Sequence, residues 1–307
     1  MRQLVFLCFI LSFNCHNAQK KMETQQIPLE KQITYMIDLT LKTPHELYIN
    51  DILAVSRSRG SNAAIDINPY VLKNGKYKIK LRLLPYWHLN ETTVSKSDIE
   101  NARLFFGSYI RNKETDEILN YKADVALPIV APKEDVPYFE QEWDVELTEL
   151  PYELEGWSKG QDLRKWDKKE LEKKVVAYYQ KLWHILNNGE GERWTKLTQK
   201  RINETAIFYY ESEEENQKAI KNNQQNIVKY CTNMMIPLED YEMKLYAEGK
   251  LVCLERKTHT REFNNKSPLD IKGWSPLILK GKKSGAGYYN VLLYLPQGSD
   301  EFVIIRR

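Results

Sequence analysis

Alternating apolar and charged residues form the clearest pattern in the first half of the chain. In residues 77–84, basic side chains occupy every second position and aliphatic side chains occupy the positions between them. Because successive side chains of a strand point to opposite faces, this period of two predicts a half-buried β-strand. Shorter runs of the same kind occur at 33–39 and 46–50. We expect residues 33–156 to form an antiparallel β-sandwich domain.

A run of carboxylates at 138–147 raises the question of catalysis. The acids lie two residues apart, which places them on one face of a strand, with apolar and aromatic residues on the other face. A glycosidase needs two carboxylates held at a defined separation, and nothing singles out such a pair here. We interpret this run as the solvated face of a sheet and predict no catalytic residue in it.

The period changes to that of a helix after Asp167. Asp167 and Glu170 have the spacing of a capping box, and apolar residues then recur at 171, 175, 178, 182 and 185 or 186. Further helical regions are predicted at 194–210 and 214–231. Strand signals return at 241–255, 276–280, 288–295 and 301–306. This order predicts an α+β domain over residues 167–307, with residues 157–166 as the linker before it.

The order of a long opening helix, shorter helices and then hairpinned strands resembles the NTF2-like superfamily. The resemblance covers residues 167–307 and implies a cone-shaped α+β fold. It rests on the order of elements, so no functional residue is carried over from that superfamily. As a whole, the chain is similar to uncharacterised exported proteins of the bacterial cell envelope.

The first residues have the layout of a secretory signal peptide. Arg2 gives a positive start, residues 4–13 form an apolar run, and a small residue precedes position 19. We expect residues 1–18 to be removed and residues 19–32 to form a flexible N-terminus in a periplasmic or secreted protein. The apolar run is shorter than the about 20 residues that a membrane-spanning helix needs, so no membrane span is predicted.

An alternative interpretation of the leader makes the protein a lipoprotein anchored at Cys15. A lipoprotein signal would place a small residue directly before that cysteine and a branched apolar residue three positions before it. Asn14 and Ser12 occupy these positions. The pattern therefore favours soluble export over a lipid anchor.

Two cysteines follow the leader and its flank, Cys231 and Cys253. In an oxidising compartment they are candidates for a disulfide. The alternative is a pair of separate buried thiols, because cysteine is among the most frequently buried residues and Cys253 lies in an apolar run.

Charge and histidine distribution restrict the partners and cofactors. The net charge of the chain is +3 and its basic residues are interspersed with acids, so no nucleic-acid partner is predicted. The histidines after the leader, at positions 45, 88, 184 and 259, lack the close spacing of zinc ligands. We therefore predict no metal site and no cofactor.

Aromatic residues are concentrated at the boundary between the predicted β domain and the predicted α+β domain. Trp143, Tyr152, Trp157 and Trp166 are the candidate ligand-binding residues of this junction, since aromatic faces stack on sugars and line clefts. The alternative is that they pack the two domains together.

These patterns favour a non-catalytic exported protein that binds a protein or a glycan of the cell envelope, as an adaptor or an immunity protein would. One alternative is an enzyme that uses a pocket of the C-terminal domain. Another is a structural envelope protein whose aromatic junction only fixes the orientation of the domains.

Overall fold

The computed structural model of the protein describes residues 27–263, 268–282 and 285–306. The predicted signal peptide, Cys15 and most of the predicted flexible N-terminus lie outside these residues. In the described ranges the protein is of the mixed α/β type, with five α-helices and mostly antiparallel sheets. None of these helices has the length and the apolar character that crossing a membrane requires.

The N-terminal half is built almost entirely of strands. Its elements are β1 (Ile33–Leu41), β2 (His45–Ile49), β3 (Ile52–Arg57), β4 (Ser61–Asp66), β5 (Gly75–Leu83), α1 (Lys96–Glu100), β6 (Arg103–Asn112), β7 (Glu117–Ala126) and β8 (Phe139–Leu147). The strands form two four-stranded antiparallel sheets, ordered β4-β1-β6-β7 and β3-β2-β5-β8. The strand predicted at 77–84 is confirmed as β5.

The two sheets of the N-terminal half share one hydrophobic core. Alternate residues of β1 and β6 pack against alternate residues of β2, β5 and β8 in a single cluster. Ile79 and Leu81 of β5 are fully buried, while Lys78 on the opposite face forms an ion pair with Glu142 of β8. The predicted solvated face of the run at 138–147 is confirmed, because its acids lie on that same outer side.

The C-terminal half begins with helices and ends with strands, as the sequence predicts. Its elements are α2 (Lys168–Asn187), α3 (Gly191–Leu197), α4 (Gln199–Phe208), α5 (Glu213–Asn226), β9 (Tyr241–Tyr246), β10 (Leu251–Arg256), β11 (Thr260–Arg261), β12 (Leu269–Asp270), β13 (Ile278–Lys280), β14 (Ala286–Tyr288), β15 (Leu292–Tyr294) and β16 (Val303–Ile305). The main sheet is ordered β16-β15-β10-β9. Helix α2 lies on one face of this sheet.

The start of α2 confirms the predicted N-cap, because the Asp167 side chain accepts hydrogen bonds from the backbone of Lys169 and Glu170. The predicted apolar stripe packs against the core, with Tyr178 partly buried, but the prediction omits one position. Tyr179, and not Tyr178, is fully buried, and its hydroxyl donates to the carbonyl of Val291 at 2.9 Å. Tyr179 lies four residues after Val175, which keeps it on the buried face of the helix.

Strand β10 is buried along its whole length because both of its faces are covered. Val252 and Leu254 belong to the cluster beneath the helices. Leu251 and Cys253, on the opposite face, join a second cluster that includes Ile52 of β3. The C-terminal sheet is therefore enclosed between its own helices and the N-terminal half.

The candidate disulfide between Cys231 and Cys253 is wrong, since both residues are buried thiols in the structure. Cys231 lies in the cluster on the helical side of the sheet, and its Sγ is 3.1 Å from the hydroxyl of Tyr289. Cys253 points to the other side of the sheet, toward the N-terminal half. Neighbouring side chains of a strand alternate between faces, so the sheet itself separates the two thiols.

Candidate functional site

A groove runs along the junction between the N-terminal half and the helices. Its main part has a volume of about 1150 Å³ and is walled by residues 27–32, 112–114, 151–154 and 206–215. A cavity of about 390 Å³ continues it toward β4 and β6, and one of about 750 Å³ continues it past Pro151. Ligand sites are most often concave and placed between domains, so this groove is the candidate functional site.

The turn between α4 and α5 forms one wall of the groove. Helix α4 ends with two backbone hydrogen bonds, from Glu211 to the carbonyl of Ala206 and from Tyr210 to the carbonyl of Ile207. This Schellman pattern requires a left-handed residue after the helix, a position that glycine usually occupies. Tyr210 takes it here, with φ of 55°. A bulky residue in this conformation costs about 1 kcal/mol, so its side chain is expected to have a specific role.

The Tyr210 side chain connects the two halves of the protein. Its hydroxyl donates to the carbonyl of Ile33 at the start of β1. Its ring lies 6.0 Å from the ring of Tyr152, between centroids. The Lys113 ammonium, after β6, donates to the carbonyl of Tyr210 at 3.0 Å. These contacts attach the turn between α4 and α5, which forms one wall of the groove, to the N-terminal half.

The groove is strongly acidic. Two basic side chains, Arg111 and Lys113, face eight carboxylates in the main part and the smaller cavity. The carboxylates are those of Asp66, Glu114, Asp116, Glu153, Glu211, Glu213, Glu214 and Glu215. Clefts lined by one sign of charge concentrate ligands of the opposite sign. The electrostatics therefore favour a cationic ligand.

Several of these carboxylates already have partners, while others are open to a ligand. Glu215 closes a capping box with Ser212 at the start of α5, and its Oε2 lies 3.5 Å from the Lys113 ammonium. In the part of the chain that the structure describes, Glu211 and Glu214 form no ion pair. Burial raises the pKa of the Glu211 carboxyl, and the nearby Lys113 opposes that shift.

The predicted aromatic residues do not meet in one cleft. Trp143 packs at the edge of the N-terminal core, and its indole N–H donates to the carbonyl of Pro128 at 2.9 Å. Trp166 packs against the core beneath the helices. Trp157 is 4% exposed and belongs to the cluster between the two halves. Tyr152 is the member of this set that lines the groove.

Trp157 lies beside a buried ion pair of the C-terminal half that also contacts the N-terminal half. The Arg306 guanidinium stacks on the ring of Trp157, at 5.2 Å from its centroid, and its Nε lies 3.2 Å from Oε2 of Glu204. Arg306 also donates to the carbonyl of Val71 in the N-terminal half. Burial lowers the pKa of Arg306, and the Glu204 carboxylate opposes that shift. This part of the junction is packed and offers no binding surface.

Sequence reasoning missed Tyr209 and Tyr210 and the carboxylates after them. The signal in the sequence is the run at 209–215, in which two tyrosines precede four glutamates within five residues. Tyr209 is 41% exposed, although its neighbour Phe208 is buried. The run alone does not predict a site, because the groove forms only where the fold brings it close to residues 27–34 and 109–116, which are distant in sequence.

The described residues contain no group of three or more histidine, cysteine, aspartate or glutamate side chains placed to hold a metal ion. Comparisons with family models, with curated proteins and with solved structures found no match for this chain.

Proposed function

We propose that this protein is a non-catalytic, exported binding protein of the bacterial cell envelope, and that its interdomain groove holds a positively charged segment of a protein partner. The observation that carries the proposal is the groove itself, a cavity in several adjoining parts whose lining includes tyrosines and a large excess of carboxylates. The layout of residues 1–18 supports export.

The division of the groove into three adjoining parts favours a peptide over a small molecule. Its three connected parts share lining residues: Pro151 borders both the main part and the cavity beyond it, and Tyr210 borders the main part and the smaller cavity. An extended segment would place successive side chains in successive parts. Basic residues in that segment would meet Glu211 and Glu214.

We further propose that the two sheets of the N-terminal half constitute a β-sandwich and that the C-terminal half is an NTF2-like domain. The shared core of the two sheets supports the first assignment. The packing of α2 across the antiparallel sheet supports the second. The groove then lies outside the C-terminal half's own core, at its border with the sandwich.

The proposal is tested by measuring the binding of fluorescein-labelled octalysine by anisotropy. We expect saturable binding that weakens at least about tenfold between low and high salt, because exposed charges are screened. Octaglutamate, as a probe of opposite charge, should not bind. Binding of a neutral chitooligosaccharide without binding of octalysine would contradict the proposal and indicate a glycan instead.

Variants locate the binding in the groove. The double substitution Glu211→Gln and Glu214→Gln should weaken octalysine binding at least about fivefold, because it removes two negative charges from the cleft. Glu134→Gln is the matched control, since Glu134 is exposed and lies outside the lining of the groove. Equal affinities of the two variants would overturn the assignment to the groove.

A structural role has support of its own from the packed part of the junction. Trp157 and the hydrogen bond from Arg306 to the carbonyl of Val71 fix the halves together whether or not a ligand binds. Under this alternative, octalysine would not bind at the groove, and the groove variants would leave any residual binding unchanged.

A further inference from the structure

The smaller cavity at the end of the groove has the composition of a pocket for one cationic side chain. Its volume is about 390 Å³, and its walls include the side chains of Tyr109, Tyr209 and Tyr210 around the carboxylate of Asp66. Tyrosine rings attract cations through their negative faces. A carboxylate beside such rings adds a hydrogen-bond acceptor with full charge.

Asp66 is positioned as the acceptor by the sheet. It is the last residue of β4, and its backbone pairs with Met36 of β1. One carboxylate oxygen, Oδ1, accepts a hydrogen bond from the hydroxyl of Tyr109 at 2.9 Å, which fixes the orientation of the group. Burial raises the pKa of Asp66, and the hydrogen bond from Tyr109 opposes that shift. A ligand cation would stabilise the ionised form in this partly desolvated place.

The two basic residues of the cavity are paired with other groups of its lining. The Arg111 Nε donates to Oδ1 of Asp116 at 2.8 Å. Lys113 donates to the carbonyl of Tyr210 and lies near Glu215. The Arg111 guanidinium still acts on Asp66 and lowers its pKa, so the pairing of Arg111 with Asp116 reduces, but does not remove, its competition with a ligand cation.

We propose that this pocket, which we call the Asp66 pocket, binds the guanidinium of one arginine side chain of the partner segment. The inference rests on the proposed function and adds a specificity to it. A guanidinium is planar, so it can stack on a tyrosine ring while its N–H groups donate to the carboxylate. Tyr209 supplies an exposed ring for this contact, and Asp66 supplies the acceptor.

The test uses three acetylated Gly/Ser octapeptides that differ at one central residue, which is arginine, lysine or citrulline. Citrulline has nearly the shape of arginine but no charge. We expect calorimetry to show the arginine peptide binding at least about tenfold tighter than the citrulline peptide, with lysine between them. Equal affinities for arginine and citrulline would overturn the proposal.

Substitutions assign the preference to the pocket. Asp66→Asn should abolish the preference for arginine over citrulline. Asp38→Asn is the matched control, because Asp38 lies on the neighbouring strand β1 and accepts a hydrogen bond from Tyr121 in the same way, away from the groove. A preference that persists in Asp66→Asn, or that is lost equally in Asp38→Asn, would contradict the assignment.

The Tyr209→Leu variant and octalysine binding provide two further tests of the pocket. Tyr209→Leu should reduce the preference without loss of folding, since Tyr209 is 41% exposed, and it replaces Asp66→Asn if that variant fails to fold. Octalysine binding separates this inference from the proposed function. If octalysine binds the protein but arginine shows no advantage over citrulline, the pocket assignment fails and the groove assignment stands. If octalysine does not bind, the proposed function fails.

Discussion

The junction between the two halves has a packed part, around Trp157 and Arg306, and an open part, which is the groove. Consecutive residues at the C-terminal end of α4 contribute one side chain to each part. Phe208 is buried, with the Arg306 guanidinium 5.1 Å from its ring centroid. Tyr209, the next residue, is half-exposed and lines the groove. Packing on one side of this segment therefore fixes the position of the binding residues on the other. Rigid support of this kind is what a preorganised site needs.

The largest effect is expected from breaking the packed part. Arg306→Met leaves the buried Glu204 without its charged partner, and removing one member of a buried pair costs about 3–5 kcal/mol. We expect a loss of this size in the free energy of unfolding, measured by urea denaturation. The double variant Arg306→Met, Glu204→Gln should recover part of it. A loss below about 1 kcal/mol in the single variant would show that the pair does not hold the junction.

A smaller effect is expected where the packed and open parts meet, at Tyr210. Tyr210→Phe removes the hydrogen bond to the carbonyl of Ile33. Asn68 also donates to that carbonyl, at 3.0 Å, so the acceptor keeps a partner and the loss should be about 0.5–1 kcal/mol. The free energy of unfolding of Tyr210→Phe measures it. A loss as large as that of Arg306→Met would show that Tyr210 belongs to the packed part.

Two glutamates near the junction, Glu155 and Glu211, should respond to pH with opposite sign. Lys200 and Lys159 lower the pKa of Glu155 to about 2, whereas burial raises the pKa of Glu211. Glu155 thus contributes stability above its ordinary pKa of 4.5 that is lost as the pH falls toward 2. Glu211 has the opposite effect. Because its pKa in the folded protein is raised above 4.5, its ionisation lowers the stability as the pH rises from 4.5 through that raised pKa.

We therefore expect Glu155→Gln to be less stable than the parent near neutral pH and the difference to vanish in acid. Because the Glu155 side chain is about half exposed, the difference should stay below about 1 kcal/mol. Glu211→Gln should be as stable as the parent or slightly more stable near neutral pH. Urea denaturation between pH 3 and 7 measures both, and parallel pH profiles of the two variants would contradict the contrast.

The smallest effect, close to zero, is expected from a reducing agent. Cys231 lies on the helical side of the C-terminal sheet and Cys253 on the side of the junction, so no bridge links them. Adding dithiothreitol should leave the midpoint of unfolding unchanged. A clear drop in the midpoint would show that the two sides of the sheet are crosslinked after all.

Local periodicity was sufficient to predict the most regular elements, but not the strands β3, β4, β6 and β7 or the division of the helical region 194–210 into α3 and α4. Strand β5 and helix α2 each repeat a pattern within one segment, so neighbouring residues alone specify the buried face. The omission of Tyr179 arose because two adjacent tyrosines fit the helical period almost equally well; both pack against the core, Tyr179 fully buried and Tyr178 in part.

The groove could not be predicted in the same way, because its walls come together from distant parts of the chain. Tyr210 reaches Ile33 through a left-handed backbone conformation that sequence patterns do not predict for tyrosine. Of the predicted aromatic residues, Tyr152 lies in the groove, while Trp157 serves the packed part. Composition located the junction, but it did not distinguish aromatic residues that pack from those that line a cavity.

The central claim is that a cationic segment lies in the groove, and hydrogen–deuterium exchange with octalysine tests it most directly. We expect slower exchange in residues 207–215 and 109–116 when the peptide is bound, and no change in β8, which does not line the groove. Protection confined to other regions, or binding without protection of residues 207–215, would contradict the account.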